Sequence, residues 1–310
     1  MKTLSASPLF NVLAFSAFWA FQIFFAKLGF KAGALVLPFQ VMMVAVAIIT
    51  VLSLLLRRSG RNLITLFQQQ PRMFWNLFLA NSIQAGLGTF LSIIGIAMTD
   101  AINAGFLVKM ATVSTIIFAW LILGERLSKL KVGVVFVMLF GAYLLTTKGQ
   151  ALLPHIGDAY ILAACVCWSL GNILVKKALK TQTTNADVVT MQKPLASFLF
   201  FSTVLFVSIF FPNAFGTLSE TLRPYPFAVK SIPFALGSGV SLGLAWIFLY
   251  RTLDVATASY MTLMSMATPI MVSILAMAFL GESLIMIQIV GAGLIILSAV
   301  TIYVSDIAYA

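Results

Sequence analysis

Charge is what this 310-residue chain has least of: Asp, Glu, Lys and Arg together make up 9% of it, against about 25% in a soluble globular protein. It also has one histidine, two cysteines and eight carboxylates. Each scarcity excludes something. There is no metal-spaced Cys/His set, no H-E-x-x-H and no phosphate loop, so no metal or other cofactor is expected, nor ATP-driven work by this chain alone. Cys165 and Cys167 lie two apart in an apolar run and point to different faces, which suits packing. No stretch has the composition of a soluble domain; the longest polar connections are 57–72 and 211–230.

What is present is apolar. Hydrophobic residues make up 61% of the chain, and a membrane-spanning helix needs ~20 of them in a row. Windows bounded by charge, Pro or Gly give ten spans: 9–29, 34–56, 74–97, 101–123, 130–147, 157–176, 190–211, 231–250, 257–280 and 285–305. The runs are too long for barrel strands and lack their alternation. The expected fold is an all-α integral membrane protein. Lys2 and the apolar run after it look like a signal peptide, but the run is long and has no small-x-small cleavage site, so it reads as an uncleaved first span.

A net charge of +11 invites a nucleic-acid reading, which fails because the basic residues are spread over short loops. With the N-terminus in the cytoplasm, twelve lie inside (Lys2, Arg57, Arg58, Arg61, Arg72, Arg126, Lys129, Lys131, Lys176, Lys177, Lys180, Arg251) and five outside (Lys27, Lys31, Lys148, Arg223, Lys230). That bias sets the orientation. Both termini are expected in the cytoplasm, the membrane being a bacterial inner membrane. Ser59 then falls inside and Ser219 outside. Lys193 reads as the inner start of the seventh span.

The halves repeat. "FWAFQIFFAKLGFK" (18–31) matches "CWSLGNILVKKALK" (167–180), pairing Trp19 with Trp168, Lys27 with Lys176 and Lys31 with Lys180. A shift of 157 residues pairs Gly124-Glu125 with Gly281-Glu282, Gly86-Leu87 with Gly243-Leu244, and Ala101 with Ala258. Five spans per half invert the second copy, the arrangement of secondary transporters that handle substrate between their halves. The boundary falls between 1–150 and 151–310.

The stretch 250–297 has a small-residue helix start, a mid-helix Pro269, then Gly281-Glu282, then a glycine-containing last span. In this it resembles the EamA family of the drug/metabolite transporter superfamily. The resemblance implies ten helices as two inverted five-helix copies and a transporter, and says little about substrate. The first copy departs from the second by Thr112 in place of Pro269 and Lys109 in place of Met266.

Polar and aromatic residues recur at helical spacing within five spans. They are Asn11, Phe15, Phe18 and Gln22, with Trp19 beside them; Asn81, Gln84, Gly88 and Ser92; Ser169 and Asn172 near Trp168; Gly239, Gly243, Trp246 and Tyr250; and Thr262, Ser265, Pro269 and Ser273, flanked by Met266. Single residues of this kind stitch helices together; the set points to a shared cavity. Pro269 frees backbone carbonyls, tolerated only where protein or a water-filled cavity meets them. Glu125 and Glu282, at helix ends, read as structural, and His155 as a solvated loop residue. "GVSLG" (239–243) fits a nucleophile-elbow pattern, but lies mid-helix without a base for Ser241, so no enzyme is expected.

Lys109 stands apart. A charge within the membrane costs ~2.5–3.5 kcal/mol or more, and this one lies ~12 Å along its span at 1.5 Å per residue. It can snorkel outward, or face the cavity on a stripe with Ile102, Gly105, Thr112, Ile116 and Trp120. All eight carboxylates lie at helix ends or in loops, so no buried acid offers itself as partner. The expected function is movement of a small organic metabolite, an amino acid or organic anion favoured, by alternating access. The expected substrate-binding residues are Lys109, Thr112, Trp19, Gln22, Asn81, Gln84, Trp168, Asn172, Trp246, Tyr250, Thr262, Ser265 and Met266. A passive facilitator, or a multidrug or lipid exporter of the same fold, is the alternative. The partners are the substrate, the lipid bilayer and, if transport is coupled, protons; the chain acts as a monomer or homodimer.

Overall fold

Prolines and short polar side chains start the helices. Ser7 Oγ accepts from Phe10 N and Pro8 opens α1 (Pro8–Lys31). Pro71 opens α3 (Pro71–Ala97). Ser128 caps α5 (Lys129–Thr147), Asn185 caps α7 (Ala186–Phe210) and Thr257 caps α9 (Ala258–Leu280). Pro suits the first turn because its missing N–H has no intrahelical partner there anyway, and a capping oxygen satisfies another of the free amides. The remaining helices are α2 (Val36–Gln69), α4 (Ile102–Leu123), α6 (Ile156–Lys180), α8 (Ile232–Val255) and α10 (Met286–Ala308). The computed structural model describes residues 7–181, 184–225, 228–281 and 283–308. Among these there is no strand, and ten helices are long and apolar enough to cross a membrane.

One connection differs from expectation. The polar stretch after Arg57 is not a loop: α2 runs on to Gln69. No proline interrupts it, and Ser59, Gly60 and Leu66 keep an inward face. The turn comes at Gln70, φ −134°, where the following Pro71 drives the chain out of the helical region.

The packing displays the repeat. α1 lies against α8 and α9, and α6 lies against α3 and α4. α2 packs on α8, and α7 packs on α3. Exchanging each helix for the one five places on turns the first member of each pairing into the second. The pairs α2–α7 and α5–α10 map onto themselves and straddle the pseudo-twofold axis. With five helices per copy, the second copy is inverted.

Glycines set how close these pairs come. A Cβ on Gly95 would lie 2.8 Å from Gly157 O across α3–α6, and one on Gly141 would lie 2.7 Å from Gly291 O across α5–α10. Repeat-related Gly86 and Gly243 do equivalent work, against Phe200 of α7 and Thr50 of α2. Gly239 of the "GVSLG" stretch meets Met43 O of α2, so that stretch is a packing face, as its mid-helix position suggests. Large side chains on the outer surface, such as Phe136, Phe279 and Leu297, are exposed, as a lipid-facing surface requires.

Candidate functional site

Two helices break at related places. α4 is interrupted between Leu107 and Met110. There the amides of Lys109 and Thr112 reach back only three residues, to Phe106 O at 2.8 Å and Lys109 O at 3.0 Å. α9 is interrupted by a tight turn, Ser265–Ala267, just before Pro269. Lys109 and Met266, equivalent in the repeat, mark the two breaks. Proline accounts for the second; nothing of the kind stands in the first.

A break frees carbonyls that need donors, and α6 supplies them to α4. Cys165 Sγ lies 3.4 Å from Leu107 O and 3.7 Å from Val108 O. Ser169 Oγ donates to Ala111 O at 3.0 Å and accepts from Thr115 Oγ1 at 2.9 Å. In α9, Ser265 Oγ donates to Thr262 O and Ser273 Oγ to Pro269 O. The two faces meet where Thr112 Oγ1 lies 3.6 Å from Met266 Sδ. Lys109 is half-buried, and among the described residues its side chain has no hydrogen bond or ion pair. Thr262 and Ser265 are half-buried too. Trp120, put on the Lys109 face by an unbroken helical period, is instead 57% exposed.

The other predicted residues gather elsewhere. Tyr250 Oη of α8 lies 2.8 Å from Asn81 Oδ1 and 3.1 Å from Gln84 Oε1 of α3, and Gln84 Nε2 donates to Asn172 Oδ1 of α6. Gln84 sits in a π-helical stretch, Ser82–Gly88; such stretches are frequent at functional sites. Gln22 points away from this group: its Nε2 lies 3.3 Å from Met43 Sδ and 3.4 Å from Ser238 Oγ. Trp19 packs on Phe15, and Trp168 fills the notch left by Gly88. The residues expected to line one cavity therefore form a break cluster (Lys109, Thr112, Met266, with Thr262 and Ser265 beside it), an amide–tyrosine cluster (Asn81, Gln84, Asn172, Tyr250), and tryptophans and Gln22 held by packing.

Lys193 was missed. Since α7 starts at Ala186, Lys193 is two turns inside the helix rather than at its mouth. It is 3% exposed, with Nζ 5.3 Å from the Trp246 ring centroid and 5.0 Å from that of Tyr250. The available signal was a lysine before Pro194 in an otherwise apolar run.

The helix ends are tied where the α2–α3 and α4–α5 turns lie. Glu125 accepts from Ala258 N, Ser259 N and Ser259 Oγ at the start of α9. Asp187 accepts from Ser59 Oγ at 2.9 Å and faces Arg58 and Arg251. Lys176 Nζ donates to Leu253 O at 2.6 Å. Gly124 and Gly281, φ 69° and 66°, end α4 and α9 alike in a conformation that disfavours a side chain. Glu282 lies outside the described residues. His155, exposed as expected, is also the cap of α6, its N–H donating to Asp158 at 2.9 Å.

The sequence pattern of the EamA-like transporter family matches residues 6–147 and again 155–304. An uncharacterized transporter of Bacillus subtilis (strain 168), YyaM, is 25% identical over 217 residues, which cover 68% of this chain and 67% of that protein. Among solved structures, one crystal structure superposes with a TM-score of 0.73 over 95% of this chain and 95% of its own, at 17% identity, and so shares the fold.

Proposed function

Because the chain belongs to the EamA-like transporter family, we propose that it is a secondary transporter that moves a small organic metabolite by alternating access between its copies, 1–150 and 151–310. The observation that carries this is the pair of helix breaks, one per copy, that meet at Thr112 and Met266. Broken helices at a repeat interface are where carriers bind substrate, because loosened backbone there has unmet polar groups. Lys109 stands in one break with no acid beside it among the described residues. The substrate class that suits it is an amino acid or organic anion, its carboxylate at Lys109. Protons are the candidate coupling ion. The setting is a bacterial inner membrane with both termini cytoplasmic, and the unit is a monomer or homodimer.

The test is counterflow in proteoliposomes loaded with a panel of amino acids and organic acids. Saturable exchange of a carboxylate, lost in Lys109→Ala while that variant still folds, supports the reading. Unsaturable flux indicates a channel. Exchange unchanged in Lys109→Ala makes Lys109 a snorkelling lysine and removes the anion preference.

A further inference from the structure

Among the described residues Lys193 is the one charged side chain that is fully enclosed. Its neighbours explain how it is tolerated but not why it is there. Trp246 and Tyr250 cover the amino group with their ring faces, a favourable setting for a cation that supplies no hydrogen-bond acceptor. Three N–H donors remain, and among the described residues none has a partner. The nearest acid along α7, Asp187, is engaged by Ser59, Arg58 and Arg251.

A second unmet group lies at the far end of the same tyrosine. Tyr250 has one O–H proton and faces two amide oxygens, those of Asn81 and Gln84. Asn81 Nδ2 is buried without a partner. Turning the Asn81 amide over resolves the shared proton but leaves Oδ1 unmet instead. In either orientation Asn81 keeps one free polar atom, and Tyr250 links it to the Lys193 amino group. Buried polar groups are nearly always satisfied, and here two unmet ones share one ring.

We infer that Lys193 and Asn81 form a carboxylate subsite separate from Lys109, with the flat or apolar part of the ligand against Trp246. One carboxylate oxygen meets Lys193 Nζ; the other end of the site is the Asn81 amide. The two lysines lie toward opposite faces. α4 and α7 run in opposite directions, and each lysine lies ~10–12 Å from the start of its helix at 1.5 Å per residue. Resting on the alternating-access reading, the subsite is closed in this conformation. It opens to the face with the α2–α3 turn as the carrier turns over.

The test uses the full chain in detergent, with benzoate as probe, benzamide as its neutral counterpart, and tryptophan emission as readout. Benzoate should change the emission saturably and benzamide should not. The change should vanish in Trp246→Phe, which assigns the signal. Lys193→Met should weaken benzoate at least roughly tenfold, as loss of a desolvated charge partner does. Lys193→Arg should retain most of the affinity. Should Lys193→Met not fold, Asn81→Leu is the second variant, and it too should weaken benzoate. Undiminished benzoate binding in these variants, an equal response to benzamide, or no response in the wild type overturns the subsite. The parent reading fails differently: no carboxylate undergoes counterflow in the wild type, whatever benzoate does at Trp246.

Discussion

Glu125 and Ser259 are joined twice. Glu125 Oε2 accepts from the Ser259 backbone N–H at 3.1 Å and from its hydroxyl at 2.8 Å, while Oε1 accepts from Ala258 N at 3.0 Å. A carboxylate at the end of α4 thus does for α9 what a local cap does for its own helix. The free amides of a first turn need acceptors, and a negative charge there is favoured by the helix dipole. The Gly124-Glu125 pair has a concrete use here. Gly124 turns the chain through a left-handed residue, and Glu125 crosses to the other copy.

An order of stabilities follows. Glu125→Ala removes all three acceptances and should cost about 1–3 kcal/mol, as loss of charged hydrogen bonds does. Glu125→Gln keeps one acceptor oxygen and should cost less. Ser259→Ala loses one bond of three and should cost least. Thermal unfolding in detergent, followed by tryptophan emission, checks the order. Equal melting of Glu125→Ala and wild type would show that the cap contributes nothing.

Gly95 and Gly133 form a matched pair. A Cβ on Gly95 would stand 2.6 Å from Ile161 Cγ1 and 2.8 Å from Gly157 O, whereas nothing lies within 4 Å of one on Gly133. Gly95→Ala must push α3 from α6 and should lower stability by roughly 1–3 kcal/mol, the usual cost of overpacking. Gly133→Ala, in the interior of α5, should raise it by up to ~1 kcal/mol. The same melting experiment applies; a shift of the same sign in both would contradict the close packing of α3 on α6.

The ten spans were legible because a bilayer demands a length of apolar sequence that almost nothing else produces. The repeat was legible because Trp19/Trp168 and Gly124-Glu125/Gly281-Glu282 keep order at constant spacing. The site was legible only as a set of residue types. Period counting assumes one uninterrupted helix, and α4 breaks at Val108–Lys109 with no proline or adjacent glycine to announce it. Past that break the period no longer fixes which side Trp120 takes. The π turn at Ser82–Gly88 left no pattern either. Lys193 escaped because its span was started at the first long apolar window. Asn185 in fact caps the helix one residue ahead of Ala186.

Orientation is open to direct labelling, and the structure changes where the labels belong. Ser59 is 3% exposed and bonded to Asp187, and Ser219 Oγ is buried, so neither makes a good reporter. Gln69, at the end of the extended α2, and Asn213, after α7, are exposed. Asn213→Cys should react with an impermeant maleimide on intact cells, and Gln69→Cys only after permeabilisation. Cys165 is buried and Cys167 half-buried, which keeps the background low. Reaction of Gln69→Cys on intact cells would reverse the topology that the arginines of α2 imply.

Lys193→Met is the substitution whose sign says most. If Lys193 serves the fold, methionine removes its contacts with the Trp246 and Tyr250 rings, worth ~0.5–2 kcal/mol, and the ligand-free protein should melt lower. If it is kept for a ligand, the larger effect is relief of an enclosed amino group that has no acid beside it among the described residues. Replacing even a buried ion pair or triad by apolar side chains of similar volume is often neutral or stabilising by about 1–4 kcal/mol, and a buried polar group with no partner is costly to keep. Methionine matches lysine in length and flexibility, so little cavity or strain confuses the comparison. The expected result is a higher melting temperature for ligand-free Lys193→Met than for wild type, together with slower carboxylate counterflow. A variant both less stable and fully active would place Lys193 among the packing residues.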